Sequence, residues 1–191
     1  KKIVVTYASR GLEPVRCFPE FIKSIPEIIS SNDSVCVFIA GSDKIHYYGS
    51  PPDGYESYRH WALSYLSENL SDSQFKRVKF LGTLPLDKYR NLMRLSDIHF
   101  YITRPFVASW SLLEAMSTGC LVLAGGTTNT RELLGDCGYY FNPAIKGDIV
   151  DAFRKALNCN SDEYSALTGA ARERVCQNFS LHISRSLYQC L

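Results

Sequence analysis

Six short apolar runs, each followed by a segment of helical spacing, constrain this chain more than any other feature. They cover residues 3–7, 35–40, 78–81, 98–102, 121–124 and 139–141, the length of strands buried on both faces. Helical patterns are expected over residues 18–30, 55–70, 86–95, 111–118, 130–134 and 148–157. Strand and helix alternating in this way demand β-α-β crossovers, which are right-handed and leave a parallel sheet between two helical layers. The expected fold class is α/β, a Rossmann-like parallel sheet with helices on both faces. Extra C-terminal helices are expected at 162–178 and 181–191, beyond the last strand.

A chain of 191 residues with 46% hydrophobic residues buries one substantial core, so one domain over residues 1–191 is expected. It opens directly on a strand, Lys1-Lys-Ile-Val-Val-Thr-Tyr7, as a fragment of a longer protein would. The formal net charge of +2, without basic runs interleaved with aromatics, argues against a nucleic-acid surface. No apolar run reaches the roughly 20 residues needed to span a bilayer, and no signal peptide is evident. A cytoplasmic chain, at most peripheral at the inner membrane face, is the expectation. The seven cysteines are odd in number and lack a Cys-x-x-Cys pair; they read as reduced core residues. No histidine stands at metal-ligand spacing, so neither a metal nor a cofactor is expected.

In an open parallel sheet, ligands bind beyond the carboxyl ends of the strands. The two common phosphate motifs, Gly-x-Gly-x-x-Gly and Gly-x-x-x-x-Gly-Lys-Ser/Thr, are absent, which excludes the usual dinucleotide dehydrogenase and P-loop signatures. The first strand is followed instead by Ala8-Ser-Arg-Gly-Leu-Glu-Pro-Val-Arg16. Arg10 and Arg16 there could clamp a phosphate with paired, charge-assisted bonds, or be solvated surface residues. After the fourth strand, Ser109-Trp-Ser111 precedes Leu112-Leu-Glu-Ala-Met116. Both serines suit an N-cap, and Ser111-x-x-Glu114 has capping-box spacing. The free N–H groups of a helix starting there suit a diphosphate. Glu114 either binds a ligand or bonds back to Ser111. A further helix start, Thr127-Thr-Asn-Thr-Arg-Glu132, follows Gly125-Gly126; its threonines and backbone could cap the helix or touch a ligand, a lone cap being the safer reading. Residues 41–54, with Tyr47, Tyr48, Pro51 and Pro52, form a loop long enough to be functional or simply a packed surface loop.

Together these segments resemble the C-terminal, nucleotide-sugar-binding domain of GT-B glycosyltransferases, in particular family 4, over nearly the whole chain. The resemblance is carried by Arg10 and the basic residue after it, Phe38-Ile-Ala-Gly-Ser-Asp43, Val78-Lys-Phe-Leu-Gly-Thr-Leu-Pro85, Leu112-Leu-Glu-Ala-Met-Ser-Thr-Gly-Cys-Leu-Val122 and Arg131-Glu-Leu-Leu134. It implies that Arg10 and Arg16 hold the donor diphosphate, with Arg16 in place of a lysine, and that Glu114 binds the ribose. By the same resemblance the backbone of Trp110, Ser111 and Leu112 lies against the diphosphate. Ser109 and Glu132 join the donor-binding set, and Thr83 and Leu84 meet the base. The family pattern has two glutamates, and Phe106 occupies the position of the first. That substitution, with Tyr48-Gly-Ser-Pro-Pro-Asp-Gly54, is similar to a subset of the family.

The implied reaction is retaining transfer of a sugar from a nucleoside diphosphate to an acceptor hydroxyl, without a metal. A glycan, lipid-linked or protein acceptor would be recognised by a missing N-terminal domain, so the domain alone should bind but scarcely catalyse. The alternative is a catalytically degenerate sugar-nucleotide-binding or assembly module, which Phe106 favours and the joint presence of Arg10, Arg16 and Glu114 opposes. A sugar-nucleotide epimerase of related architecture is a weaker competitor.

Overall fold

The computed structural model describes residues 2–105 and 109–180. Six strands, β1 (Ile3–Gly11), β2 (Val35–Ser42), β3 (Val78–Gly82), β4 (Ile98–Tyr101), β5 (Leu121–Gly125) and β6 (Gly138–Phe141), form one sheet in the order β3-β2-β1-β4-β5-β6. Every pairing is parallel. Eight helices are described: α1 (Phe18–Ser31), α2 (Tyr58–Asn69), α3 (Asp72–Phe75), α4 (Leu86–Leu95), α5 (Trp110–Thr118), α6 (Thr128–Leu134), α7 (Asp148–Leu157) and α8 (Ser161–Phe179). The expected α/β architecture is the observed one.

Strand geometry divides the core in two, because successive side chains point to opposite faces. Val5 and Tyr7 of β1, Phe100 of β4, and Leu121 and Leu123 of β5 face the layer of α1, α2 and α7. Tyr101, Val122 and Ala124 face the layer that includes α4, α5, α6 and α8. The first layer is the more aromatic. Phe21 stacks on Tyr7 with ring centroids 4.7 Å apart and meets Phe100 at 5.2 Å.

Several boundaries differ from expectation, most by one or two residues and two by more. β1 runs on to Gly11, because parallel pairing with β2 resumes at Gly11–Ser42 after an irregularity beyond Ala8. Arg10 thus stands at a strand end and not in a loop. α2 begins at Tyr58, where Ser57 accepts from the amide of His60 at 3.1 Å. The short α3 was not anticipated, although its Ser71/Gln74 capping box is written in the sequence. The expected helix over 181–191 lies outside the described residues. So does Cys190; the other six cysteines are free thiols. Only Cys17 and Cys120 are buried, a correction to the reading of the cysteines as core residues. Cys176 is exposed, because α8 covers the sheet with one side only. No helix among the described residues is long and apolar enough to cross a membrane.

One buried polar chain crosses the second face. Ser96 donates to the carbonyl of Ile98 at 3.0 Å, so its hydroxyl accepts from Thr6 at 2.7 Å. Thr6 must then accept from Nδ1–H of His99 at 2.8 Å. The tautomer follows from this order of donors. His99 Nε2 is buried without a partner, and burial lowers the imidazole from its ordinary range to about 4. The unfolded chain takes up that proton first, near pH 6.5. Stability should therefore be complete above pH 6.5 and fall as pH drops toward 4, by on the order of 3 kcal/mol. Urea titrations across that window should show the slope, and an Asn at position 99, which keeps the Nδ1-like donor, should flatten it. An unchanged slope in His99→Asn would assign it to other groups.

Candidate functional site at the carboxyl edge of the sheet

The chain builds outward from β1 through β2 to β3 and then returns to place β4 on the other side of β1. The connections on the two sides of that point run in opposite directions and leave a crevice at the carboxyl ends of the strands. A cavity of about 320 Å³ lies there. Ala8, Ser9, Arg10 and Arg16 form its β1 side, and Ala40, Gly41 and Ser42 its β2 side. Thr83 and Leu84 come from the end of β3, Tyr101 and Ile102 from β4, and Tyr89 from α4; Ser109, Ser111 and Glu114 complete the wall.

Of the expected site residues, Arg10, Arg16, Thr83, Leu84, Ser109, Ser111 and Glu114 line this one cavity. Trp110 and Leu112 do not put their side chains there. Helical spacing turns Trp110 outward, 77% exposed, and Leu112 inward to the core, fully buried. Glu132 lies on exposed surface of α6, where its carbonyl accepts from Arg174 at 2.7 Å. Phe106 lies outside the described residues. Ser9, Gly41, Ser42, Tyr89 and Tyr101 were not anticipated. The strand-end rule could have found Ser42 and Tyr101, whereas Tyr89 enters only through the packing of α4 on α5.

The two arginines are held differently. Arg10 is exposed, and its side chain makes no hydrogen bond or ion pair among the described residues. Arg16 ends a 3-10 turn, Pro14–Arg16. Its carbonyl accepts from the Tyr7 hydroxyl at 3.0 Å, and its Nη1 donates to Thr103 at 3.3 Å. Cys17 follows with φ 47°, the one non-glycine residue described at positive φ. That left-handed joint turns the chain from the 3-10 turn directly into α1.

Ser109, not Ser111, caps α5. Its side chain accepts from the Ser111 amide at 3.4 Å, which puts Ser111 inside the first turn. The Ser111/Glu114 capping box therefore does not form. The Glu114 carboxylate lies beside the Tyr89 hydroxyl. That hydroxyl is buried without a hydrogen-bond partner among the described residues; burial, and then the charge of Glu114, push this phenol's ionisation well up. A neutral phenol beside a carboxylate can donate to it. At α6, Thr127 accepts from the amide of Thr130 at 3.3 Å, the threonine cap expected there.

A second cavity, of about 520 Å³, lies beyond β4, β5 and β6. Its charges are largely committed within the protein. Arg104 pairs with Glu20 at 3.0 Å, Arg131 lies over the Tyr140 ring at 4.5 Å, and Asp148 accepts from the Asn142 amide at 2.6 Å. The smaller cavity, at the switch point, combines an arginine unpaired among the described residues, a helix N-terminus and a carboxylate, and is the better candidate. Among the described residues, no three His, Cys, Asp or Glu side chains group as a metal site.

An α/β sheet with a cavity at its switch point defines a class of ligand-binding domain, and comparison with known proteins narrows it. A family model described as glycosyl transferases group 1 matches residues 2–159. The chain belongs to that family. It is similar in structure to Anabaena Alr3699/HepE, solved in complex with UDP and glucose, at TM-score 0.73 and 18% identity over 98% of this chain. It covers 48% of that protein. It is also similar to the C-terminal domain of LpcC, a glycosyl transferase group 1 family protein from Francisella tularensis, at TM-score 0.76 and 15% identity over 93% of this chain and 87% of the other. No curated protein matches the chain. The fold is that of GT-B glycosyltransferase C-terminal domains.

Gly41 is a tight point of the cavity wall. A Cβ there would lie 2.7 Å from Leu12 Cδ2 and 2.9 Å from the Ser9 carbonyl. Gly41→Ala should push the Ser9–Leu12 segment off β2 and cost about 1–3 kcal/mol. Thermal denaturation measures this, and an unshifted midpoint would show that the arginine segment yields freely.

Proposed function

We propose that this chain is the donor-binding domain of a retaining glycosyltransferase of family 4, from the subset carrying phenylalanine at the first glutamate position. One observation carries the reading: Arg10, Arg16 and Glu114, far apart in sequence, line a single cavity with the N-terminus of α5. HepE, solved with UDP and with UDP-glucose, supports a nucleoside-diphosphate sugar as the ligand of a domain with this fold.

The difficult step is cleavage of the bond from the sugar's anomeric carbon to the diphosphate. The bonding electrons leave with the phosphate oxygen, and the acceptor oxygen bonds to the same face of the carbon and gives up its proton to that departing oxygen. Charge develops on the departing oxygen, so positive groups already in place there lower the barrier without reorganising. Arg10 and Arg16 supply that charge, aided by the N–H groups of Trp110, Ser111 and Leu112. This role needs no metal ion. Glu114 accepts from the ribose hydroxyls, Thr83 and Leu84 flank the base, and Ser109 and Phe106 complete the donor set, whereas Glu132 stands away from the cavity. The acceptor, whether glycan, lipid-linked or protein, is bound by an N-terminal domain outside this chain. The domain alone then binds donor but hardly turns it over.

Calorimetric titration with UDP, GDP and ADP tests the reading. One of the three should bind, and Arg10→Ala should weaken it by about 1–3 kcal/mol, the range for a hydrogen bond to a charged group. Equal affinity in the variant would remove Arg10 from the site. Binding of none of the three would favour the assembly-module alternative.

A further inference from the structure

Residues 43–57 carry neither helix nor strand, yet they are tied down at several points. Asp43 pairs with Arg59 at 3.5 Å, and the Tyr58 hydroxyl donates to the Ser50 carbonyl at 2.7 Å. The third tie comes from the arginine segment. Glu13, between Arg10 and Arg16, is fully buried, and its Oε2 accepts from the amides of His46 at 2.9 Å and Tyr47 at 3.1 Å. Gly11 makes room for this approach, since a Cβ there would lie 2.8 Å from the Lys44 carbonyl and 3.0 Å from Glu13 Oε1.

A buried carboxylate is costly even when bonded, and this one leaves Oε1 without a partner. Its two amide bonds fix the backbone from which Tyr47 projects. The Arg16 guanidinium lies over the Tyr47 ring, 5.4 Å from its centroid. Thr103 meets the same guanidinium through Nη1, and Tyr7 holds the Arg16 carbonyl. A guanidinium donates in its own plane, so an aromatic ring against its face removes water and motion without using up a donor.

We propose that Glu13 is a positioning residue for Arg16. Through the amides of His46 and Tyr47 it holds the Tyr47 ring against the guanidinium and so sets the direction in which Arg16 meets an anionic ligand. The long loop is then a brace for the site, and its acidic anchor explains why a carboxylate sits buried between two arginines. This inference rests on the assignment of Arg16 to the donor diphosphate.

A double-mutant cycle separates the two claims. UDP, GDP and ADP are titrated into the unaltered chain, and the tightest of them is the probe. Tyr47→Leu, Tyr47→Phe and Glu13→Gln are measured with Arg16 present and in an Arg16→Ala background, with thermal midpoints alongside. Tyr47→Leu and Glu13→Gln should weaken binding about fivefold, the scale of a partly desolvated cation–π contact. Tyr47→Phe, which keeps the ring, should bind like the unaltered chain. None of the three should weaken binding further once Arg16 is gone. The inference is overturned if Arg16→Ala weakens binding while Tyr47→Leu does not. It is equally overturned if Tyr47→Leu costs the same in both backgrounds, since Tyr47 would then touch the ligand itself. An Arg16→Ala protein that binds as tightly as the unaltered chain removes Arg16 from the donor site, and the brace with it. Tyr47→Leu leaves the buried carboxylate in place, so the cycle holds even where Glu13→Gln fails to fold.

Discussion

Everything in this domain hangs on β1 being paired on both sides. Val5 faces Val37 of β2 on one side and Ile98 of β4 on the other. Because all strands are parallel, every connection must cross a face of the sheet, and right-handed crossovers send them to opposite layers on the two sides of β1. The cavity lies at the carboxyl ends of β1 and β4, in the gap where the crossovers diverge. The residues before the gap are core residues by necessity, and those after it are free to be polar. Arg10 therefore ends, and Arg16 follows, a strand whose interior is Val5 and Tyr7, both essentially buried.

Electrostatic preorganisation divides between the two sides of that gap. On the β1 side the positive charge is on side chains, one unpaired and one fixed by Tyr7, Thr103 and Tyr47. On the β4 side it is carried by backbone N–H groups at the start of α5, where the Ser109 cap satisfies one and leaves the helix entry next to the cavity. An exposed arginine is strongly hydrated and loosely oriented, whereas a braced one has already lost that freedom before a ligand arrives. The buried carboxylate of Glu13 makes sense in these terms: its desolvation is a cost carried by the fold, and its product is a fixed aromatic wall.

Much of this was legible in the sequence. The apolar runs located all six strands, because strands buried on both faces must be continuous and short. The boundary at Tyr7 was missed because hydrophobicity ends there while backbone pairing, which has no side-chain signature, continues to Gly11. Arg10, Arg16, Thr83, Leu84, Ser109, Ser111 and Glu114 were reachable through strand ends and a helix start. Tyr89 was not, since it comes from a helix that reaches the cavity only by packing. The start of α5 was ambiguous between two serines, and only the backbone resolves it. Glu13 gave no sign of burial, because a carboxylate between two arginines reads as surface until the loop that covers it is in place.

The central claim is that a nucleoside diphosphate lies between the end of β1 and the start of α5. Backbone chemical-shift mapping of the domain with the tightest of UDP, GDP and ADP tests it most directly. The largest changes should fall on Ala8–Arg10, Gly41, Ser42, Thr83 and Ser109–Ser111, the edges of the smaller cavity. Changes confined to Gly125–Thr127 and Tyr140–Ala144, around the larger one, would place the ligand elsewhere and contradict the account.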